Sequence, residues 1–390
     1  QFIEELTGSL HRQWKHLLRT MPPNLSGVTG LRAIKGLVYG GFNFPEGDRA
    51  LGLALDLLRR QMAVEILPDG GSISRNPSTQ LHLLRHIIDL RAAFQAAGLD
   101  IPDTMRAAIS AMVPAIKFYR HGDGGLPLFH GGIEETPLLI DAVLTQADVR
   151  ARALRRLPET GYERITAGRS LLLVDCSTPP PRGYGAGHAG LLSFEFATGK
   201  ERIIVNCGAV PGGAAEWRAA CASTAAHSTL SVEDCNACEV MASGNVICTA
   251  RVDAQRYEQE GTQFVDMAHD GYVPKYGITH QRVLSLSGDG EELRGREILT
   301  GPAGRNYALR WHLHPGVQAS LAQSGQTALL RTSGGTGWRL RVENGELGLE
   351  QSIYCGNGAP RRSQQLRVSG ITSPEQTTIF WSLSREKKSA

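Results

Sequence analysis

An amide set before a proline, a phenol entering a glycine-rich loop and two histidines among small residues are the side chains of this sequence best placed for chemistry. Asn76 closes the run Asp69-Gly-Gly-Ser-Ile-Ser-Arg-Asn-Pro77, and Tyr119 sits in Phe118-Tyr-Arg-His-Gly-Asp123. His188 lies in Gly185-Ala-Gly-His-Ala-Gly190 and His227 in Ser223-Thr-Ala-Ala-His-Ser228. An amide binds anions by hydrogen bonds, and a phenol or imidazole moves protons. Each also has a plain structural use. Asn76 is a good helix N-cap, Tyr119 suits a buried, hydrogen-bonded core position, and the histidines suit sheet positions satisfied by backbone groups.

Other constellations carry less. Cys235-Asn-Ala-Cys238 is one C-x-x-C pair, while structural zinc usually takes a second pair or two histidines, and redox use expects a βαβ context that is missing here. Glu134 and Glu135 follow Gly131-Gly132 as a conceivable acid and base of a hydrolase, but adjacent carboxylates rarely face one site, so a solvated loop is the simpler expectation. Phosphate-loop, nucleophile-elbow and dinucleotide fingerprints are absent from the sequence, leaving nucleotide-dependent chemistry without support.

The elements that must position these residues divide the chain in two. Up to about Arg156, Leu and Ala recur at helical spacing, as in Leu51, Leu55 and Leu58, then Leu81, Leu84 and Ile88. One helix is punctuated at both ends: Asn76 as N-cap, Pro77 in the first turn and Gly98 at the left-handed stop. A second is predicted from about Pro102 to Tyr119, ending at His121-Gly-Asp-Gly-Gly125. Beyond Gly161, short apolar or alternating runs (Ser170–Val174, Leu191–Phe196, Arg202–Asn206, Ser228–Val232, Arg282–Leu286) predict antiparallel strands. Ser287-Gly-Asp-Gly-Glu291, Thr332-Ser-Gly-Gly-Thr336 and Glu343-Asn-Gly-Glu346 are predicted hairpin turns between them. The expected domains are residues 1–157, α-helical, and 158–390, β-sandwich.

Composition agrees with two ordinary domains. The chain has 390 residues, 41% hydrophobic and 20% charged, with 45 glycines that favour a turn-rich β portion. Its 41 Lys+Arg against 38 Asp+Glu leave a net charge of +3, too little for a nucleic-acid footprint and compatible with a mildly acidic ligand. Seven cysteines, an odd number without regular spacing, are expected to be mostly reduced or packed. No apolar run reaches a transmembrane length of ~18 residues, and Gln1–Leu6 lack a signal-peptide layout. Gln1 opens what reads as the middle of a helical region, so an upstream segment carrying any export signal is expected.

Three stretches in order, Gly185–Phe196, Ile203-Ile-Val-Asn-Cys-Gly-Ala209 and Ser223–Val232, resemble the C-terminal signature of the heparinase II/III-like polysaccharide lyases: H-x-H-x-D-x-x-S-F, V-D-P-G-T and H-N-T-L. His269-Asp-Gly-Tyr272 with Tyr276–His280, and Trp311-His-Leu-His-Pro315, add to the resemblance. It implies an incomplete (α/α) toroid followed by an antiparallel β-sandwich, and bacterial β-elimination in a uronic-acid-containing, glycosaminoglycan-like polysaccharide bound between the halves. In such a reaction a polar group neutralises the uronate carboxylate, a base takes the adjacent carbon-bound proton and an acid protonates the leaving oxygen.

Carried over residue by residue, the resemblance gives Asn76 to the carboxylate, Tyr119 to acid/base work and His188 to partner or metal ligand. Arg75, Arg120 and His121 would supply substrate contacts. His188, His227 and Asn206 would approximate a zinc site, Asn206 standing where the family has Asp. The pattern also departs from the family at Ala186, in place of the first histidine, and at Gly190, in place of the following Asp. An amide binds a divalent cation more weakly than a carboxylate, and alanine is no base. The rival expectation is therefore a catalytically altered homologue that binds or helps process cell-envelope polysaccharide. A metal-assisted hydrolase is a third. The resemblance also implies a periplasmic or cell-envelope location.

Overall fold

A computed structural model describes residues 1–21, 26–322 and 325–386. The first part is helical: α1 Phe2–Thr20, α2 Gly27–Asn43, α3 Gly47–Glu65, α4 Pro77–Ala96, α5 Asp103–Tyr119 and α6 Pro137–Ala147. α4 starts as its sequence dictates: the Asn76 side chain accepts from Thr79 N at 3.0 Å, Pro77 occupies the first turn, and Gly98 stands beyond the end with φ of 68°. None of these helices is long and apolar enough to cross a membrane.

Strands begin at Arg156. They are β1 Arg156–Leu157, β2 Tyr162–Ala167, β3 Ser170–Asp175, β4 Phe194–Thr198, β5 Glu201–Val205, β6 Leu230–Val232, β7 Glu239–Val240, β8 Val246–Ile247, β9 Val252–Gln259 and β10 Thr262–Tyr272. Then follow β11 Ile278–Leu286, β12 Glu292–Gly301, β13 Asn306–Leu313, β14 Gln318–Leu321, β15 Thr327–Arg331, β16 Gly337–Glu343, β17 Glu346–Tyr354, β18 Arg361–Ile371 and β19 Glu375–Arg385. Among the described residues they form two large antiparallel sheets. One runs β1-β2-β3-β4-β5-β13-β18-β17 with β6 beside β13; the other runs β14-β15-β16-β19-β12-β11-β10-β9.

The first sheet is buried on both faces at β3, β4 and β5, which explains why β3 reads as the continuous run Leu171-Leu-Leu-Val174 rather than an alternation. Leu172 and Val174 join the core between the sheets with Phe196, Trp311, Trp338 and Trp381. Leu171 and Leu173 join the helical core with Leu84, Ile116 and Tyr162. One sheet thereby holds the two halves together.

Two strand expectations change. The run from Leu191 becomes strand only at Phe194, because Leu192 has φ of 58° and Gly190–Ser193 closes a turn. Asn344-Gly345 is a turn but joins no hairpin: β16 pairs with β15 and β19, while β17 pairs with β18 in the other sheet. The connection crosses the sandwich, a choice made by face burial and invisible in turn chemistry.

Candidate functional site between the helices and the sandwich

A cleft of about 360 Å³ opens where the N-terminal end of α4 meets the loop between β3 and β4. Asn76, His130, Tyr184, His188, Ala186 and Arg218 are among its walls. Asn76 caps α4 with Oδ1 and donates from Nδ2 to His130 O at 3.0 Å, so the cap and the cleft face are one arrangement. His130 has φ of 47° and is followed by Gly131 at 81°, a left-handed turn that turns the chain back beneath Asn76. A Cβ on Gly131 would sit 3.5 Å from His188 Nε2 and 3.6 Å from Asn76 Nδ2. Amide and imidazole therefore converge over a glycine that leaves the space between them open.

The histidine is oriented from behind. Ser223 O accepts from His227 Nδ1 at 2.8 Å, so His227 Nε2 carries the lone pair and accepts from His188 Nδ1 at 3.1 Å. That leaves His188 Nε2 as a lone pair, with no bonded partner among the described residues. Burial first, and then the neighbouring imidazoles, hold His188 well below the usual histidine range, and burial pushes His227 down to about 4. Both rings are neutral at pH 7. His130 supports the same loop: its Nδ1 accepts from His188 N at 3.1 Å and its Nε2 lies 3.0 Å from Asp175 Oδ2.

The other expected residues lie elsewhere. Tyr119 does not line the cleft; it is fully buried in the helical core, edge-on to Tyr162 at 5.3 Å, with its hydroxyl unpartnered. Burial and then the nearby Asp69 and Asp175 raise its pKa well above the ordinary phenol value. Arg75 points its guanidinium at Thr178 O, tying the α4 entry to the Pro179-Pro180-Pro181 loop. Arg120 pairs with Asp141 at 2.8 Å and donates to Gly124 O. His121 is buried against Glu195, its Nε2 3.0 Å from Oε2. Three of the named cleft residues carried no sequence expectation, His130, Tyr184 and Arg218. The double-glycine turn after His130 and the Gly183-Tyr-Gly185 context of Tyr184 were the available signals.

The donor set does not make up a zinc site. Two nitrogens 3.1 Å apart suit two ligands of a tetrahedral ion, but a structural site needs four. Asn206 is fully committed: Oδ1 accepts from Ser228 N at 3.0 Å, and Nδ2 donates to Glu195 Oε1 at 3.4 Å. An Asp there would set a second carboxylate against buried Glu195. At Gly190 even a Cβ would fall 2.4 Å from the His227 ring, so this chain has no room for the Asp of the family pattern. Among the described residues no group of three His, Cys, Asp or Glu is arranged to hold a metal.

Glu134 and Glu135 diverge rather than pair. Glu134 accepts from Tyr354 Oη, and Glu135 accepts from Ser78 Oγ and lies 2.9 Å from His82 Nε2. Nor are they a solvated loop, since both are tied to neighbouring elements. Cys238 is disulfide-bonded to Cys248, while Cys235 receives Tyr276 Oη at 2.8 Å and Lys275 Nζ at 3.2 Å. The C-x-x-C pair is thus split between two environments.

Helices packed over a two-sheet antiparallel sandwich make up the toroid-and-sandwich fold that the heparinase III structures share. The chain belongs to the heparinase II/III-like family: residues 149–382 match the family described as heparinase II/III-like, C-terminal. FtsZ-localized protein C of Caulobacter vibrioides is 31% identical over 411 residues, covering 98% of this chain and 69% of that protein. A heparinase III structure superposes with a TM-score of 0.83 at 12% identity over 100% of this chain and 66% of the other. The heparan sulfate lyase HepC from Pedobacter heparinus gives 0.75 at 14% identity over 100% and 64%. The chain spans just under two thirds of the length of these two structures.

Proposed function

We propose that the cleft binds a uronic-acid-containing polysaccharide and carries out lyase-type β-elimination, with Asn76 on the carboxylate and His188 Nε2 taking the carbon-bound proton. The observation that carries this reading is the hydrogen-bond relay from Ser223 O through His227 to His188, which leaves one imidazole lone pair facing the space beside the Asn76 amide. The second Nδ2 proton of Asn76 is available to a ligand, since one is used by His130 O. Tyr184, on the cleft wall, is the phenol positioned to protonate the leaving oxygen in place of the buried Tyr119. Arg218, also on the wall, adds positive charge for an acidic chain.

The test is a panel of uronic-acid polymers followed by ultraviolet absorbance of the unsaturated uronide, with His188→Ala and Asn76→Ala beside the wild type. Appearance of absorbance that His188→Ala removes while binding persists supports elimination. A flat trace with every polymer defeats it.

One set of observations favours a second reading, that the cleft binds an envelope polysaccharide without cleaving it. Ala186 supplies no imidazole, Tyr119 is sealed away, and the Caulobacter relative takes its name from localisation with FtsZ rather than from a reaction. Saturable polymer binding with no unsaturated product identifies this case.

A further inference from the structure

The outer face of the second sheet carries a feature the cleft does not use. Pairing registers set Tyr257, Phe264, Ser285, Arg294, Ser382 and Arg341 in one line across β9, β10, β11, β12, β19 and β16. In the adjacent line Arg296 stands beside Phe380. All eight of these strand positions border a shallow groove of about 610 Å³. The Tyr257 and Phe264 rings are stacked at 4.9 Å and 5°, and Tyr257 and Phe380 remain 39% and 43% exposed. Large rings grouped on the solvent face of a sheet mark a contact site, where scattered single ones do not.

Charge narrows what that is. Arg294 is paired with Glu292 at 2.8 Å, but Arg296 and Arg341 have no carboxylate within ion-pair distance among the described residues, although Glu343 also borders the groove. Neighbouring strands lie about 4.8 Å apart, so Arg294 and Arg341, two strands apart, are separated by roughly 10 Å along the line. Free guanidiniums take carboxylates or sulfates, flat rings take sugar faces, and Ser285 and Ser382 offer hydroxyls between them. Nucleic acid is disfavoured by the net charge of only +3.

We propose that this face is a second glycan platform, on which an acidic polysaccharide lies across the strands while another stretch of polymer occupies the cleft. The proposal rests on the acidic-polysaccharide reading of the cleft for its ligand class, not on whether the cleft cleaves.

The experiment measures affinity of the full chain for long heparan sulfate, comparing wild type, the double variant Arg296→Ala/Arg341→Ala and Phe380→Ala. Polyglutamate and a single-stranded oligonucleotide serve as competing probes, and circular dichroism checks that the exposed substitutions leave the fold intact. The expected result is at least tenfold weaker binding for the arginine variant and several-fold weaker binding for Phe380→Ala. Unchanged affinity in both platform variants overturns the proposal, as does equally tight, equally arginine-dependent binding of polyglutamate or the oligonucleotide. Loss of polymer binding without any elimination in the wild type would sink the lyase reading alone. Elimination with platform variants binding normally would sink the platform alone.

Discussion

Two histidine pairs in this protein have nearly the same geometry and opposite uses. His188 and His227 at the cleft meet ring to ring at 5.1 Å and 80°, and His269 and His280 inside the sandwich at 5.2 Å and 89°. In the interior pair every nitrogen is spent. His269 Nδ1 accepts from Gly271 N, His269 Nε2 meets His280 Nδ1 at 3.3 Å, and His280 Nε2 donates to Glu297 at 2.7 Å. In the cleft pair the relay ends on a backbone carbonyl at one side and stays open at the other. The difference teaches that the group closing the far end, carboxylate or empty space, decides whether an imidazole pair is structure or a candidate for chemistry.

The pairs are physically joined. Arg282 binds Glu297 through Nε and reaches from Nη1 to Leu192 O at 2.7 Å and Ser228 O at 2.9 Å, gripping both loops that present the cleft histidines. Trp381 Nε1 donates to the same Glu297 at 3.0 Å. The interior network thus acts as a positioning device for the cleft.

The largest expected effect breaks the interior pair. Glu297→Ala leaves the fully buried Arg282 without its counter-charge and should cost about 3–5 kcal/mol in urea unfolding. A loss below about 1 kcal/mol would erase the contrast. On the proposed lyase reading, His188→Ala is expected to lower elimination roughly 10²–10⁴-fold while stability changes far less, read from initial rates and a melting curve on one preparation. Comparable losses in both would make the cleft pair structural too.

Acid sharpens the comparison next. His227 is neutral when folded, with its pKa pushed down to about 4, whereas unfolded histidine titrates near 6.5. Between those values the unfolded chain binds more protons, so stability falls as pH falls from 6.5 to 4, by about 3 kcal/mol for this group. Urea midpoints at pH 7, 5.5 and 4.5 follow the decline, and His227→Gln should make it shallower by this group's share, the other buried neutral histidines such as His188 and His312 keeping the rest. A midpoint that rises on acidification would contradict the neutral relay.

Asn76→Ala should cost about 1 kcal/mol through the lost cap, and on the proposed reading also weaken oligosaccharide binding; Asn76→Asp should keep the cap but set a carboxylate oxygen against His130 O, and so lower the stability as well as lose the binding. The smallest effect is expected at Tyr119→Phe, which removes a buried hydroxyl that has no partner and so should shift stability by less than about 1 kcal/mol, leaving any elimination rate unchanged. A large rate loss there would return Tyr119 to the site.

Local chemistry was legible where one element decides it. The α4 start at Asn76-Pro77, the end of α5 at Tyr119 and the turn at Ser287–Glu291 follow from caps and glycines acting over a few residues. The cleft was legible in half. Asn76 and His188 stand in recognisable runs, but His130 and Tyr184 enter the wall through loops whose path depends on neighbours 50 or more residues away. Tyr119 misled because a helix end before a glycine loop reads the same whether the phenol faces a groove or the core.

Sequence by itself determined the kinds of element, their order, and the side chains able to hold an anion or a proton, because propensity, capping and hydrophobic period act over short range. Only the tertiary structure decided which of those side chains meet. Packing of the helices against β2 and β3 sends Tyr119 inward, a missing Cβ at Gly190 lets His227 pack behind His188, and Glu195 claims Asn206. Each is settled by space and desolvation between segments far apart in the chain.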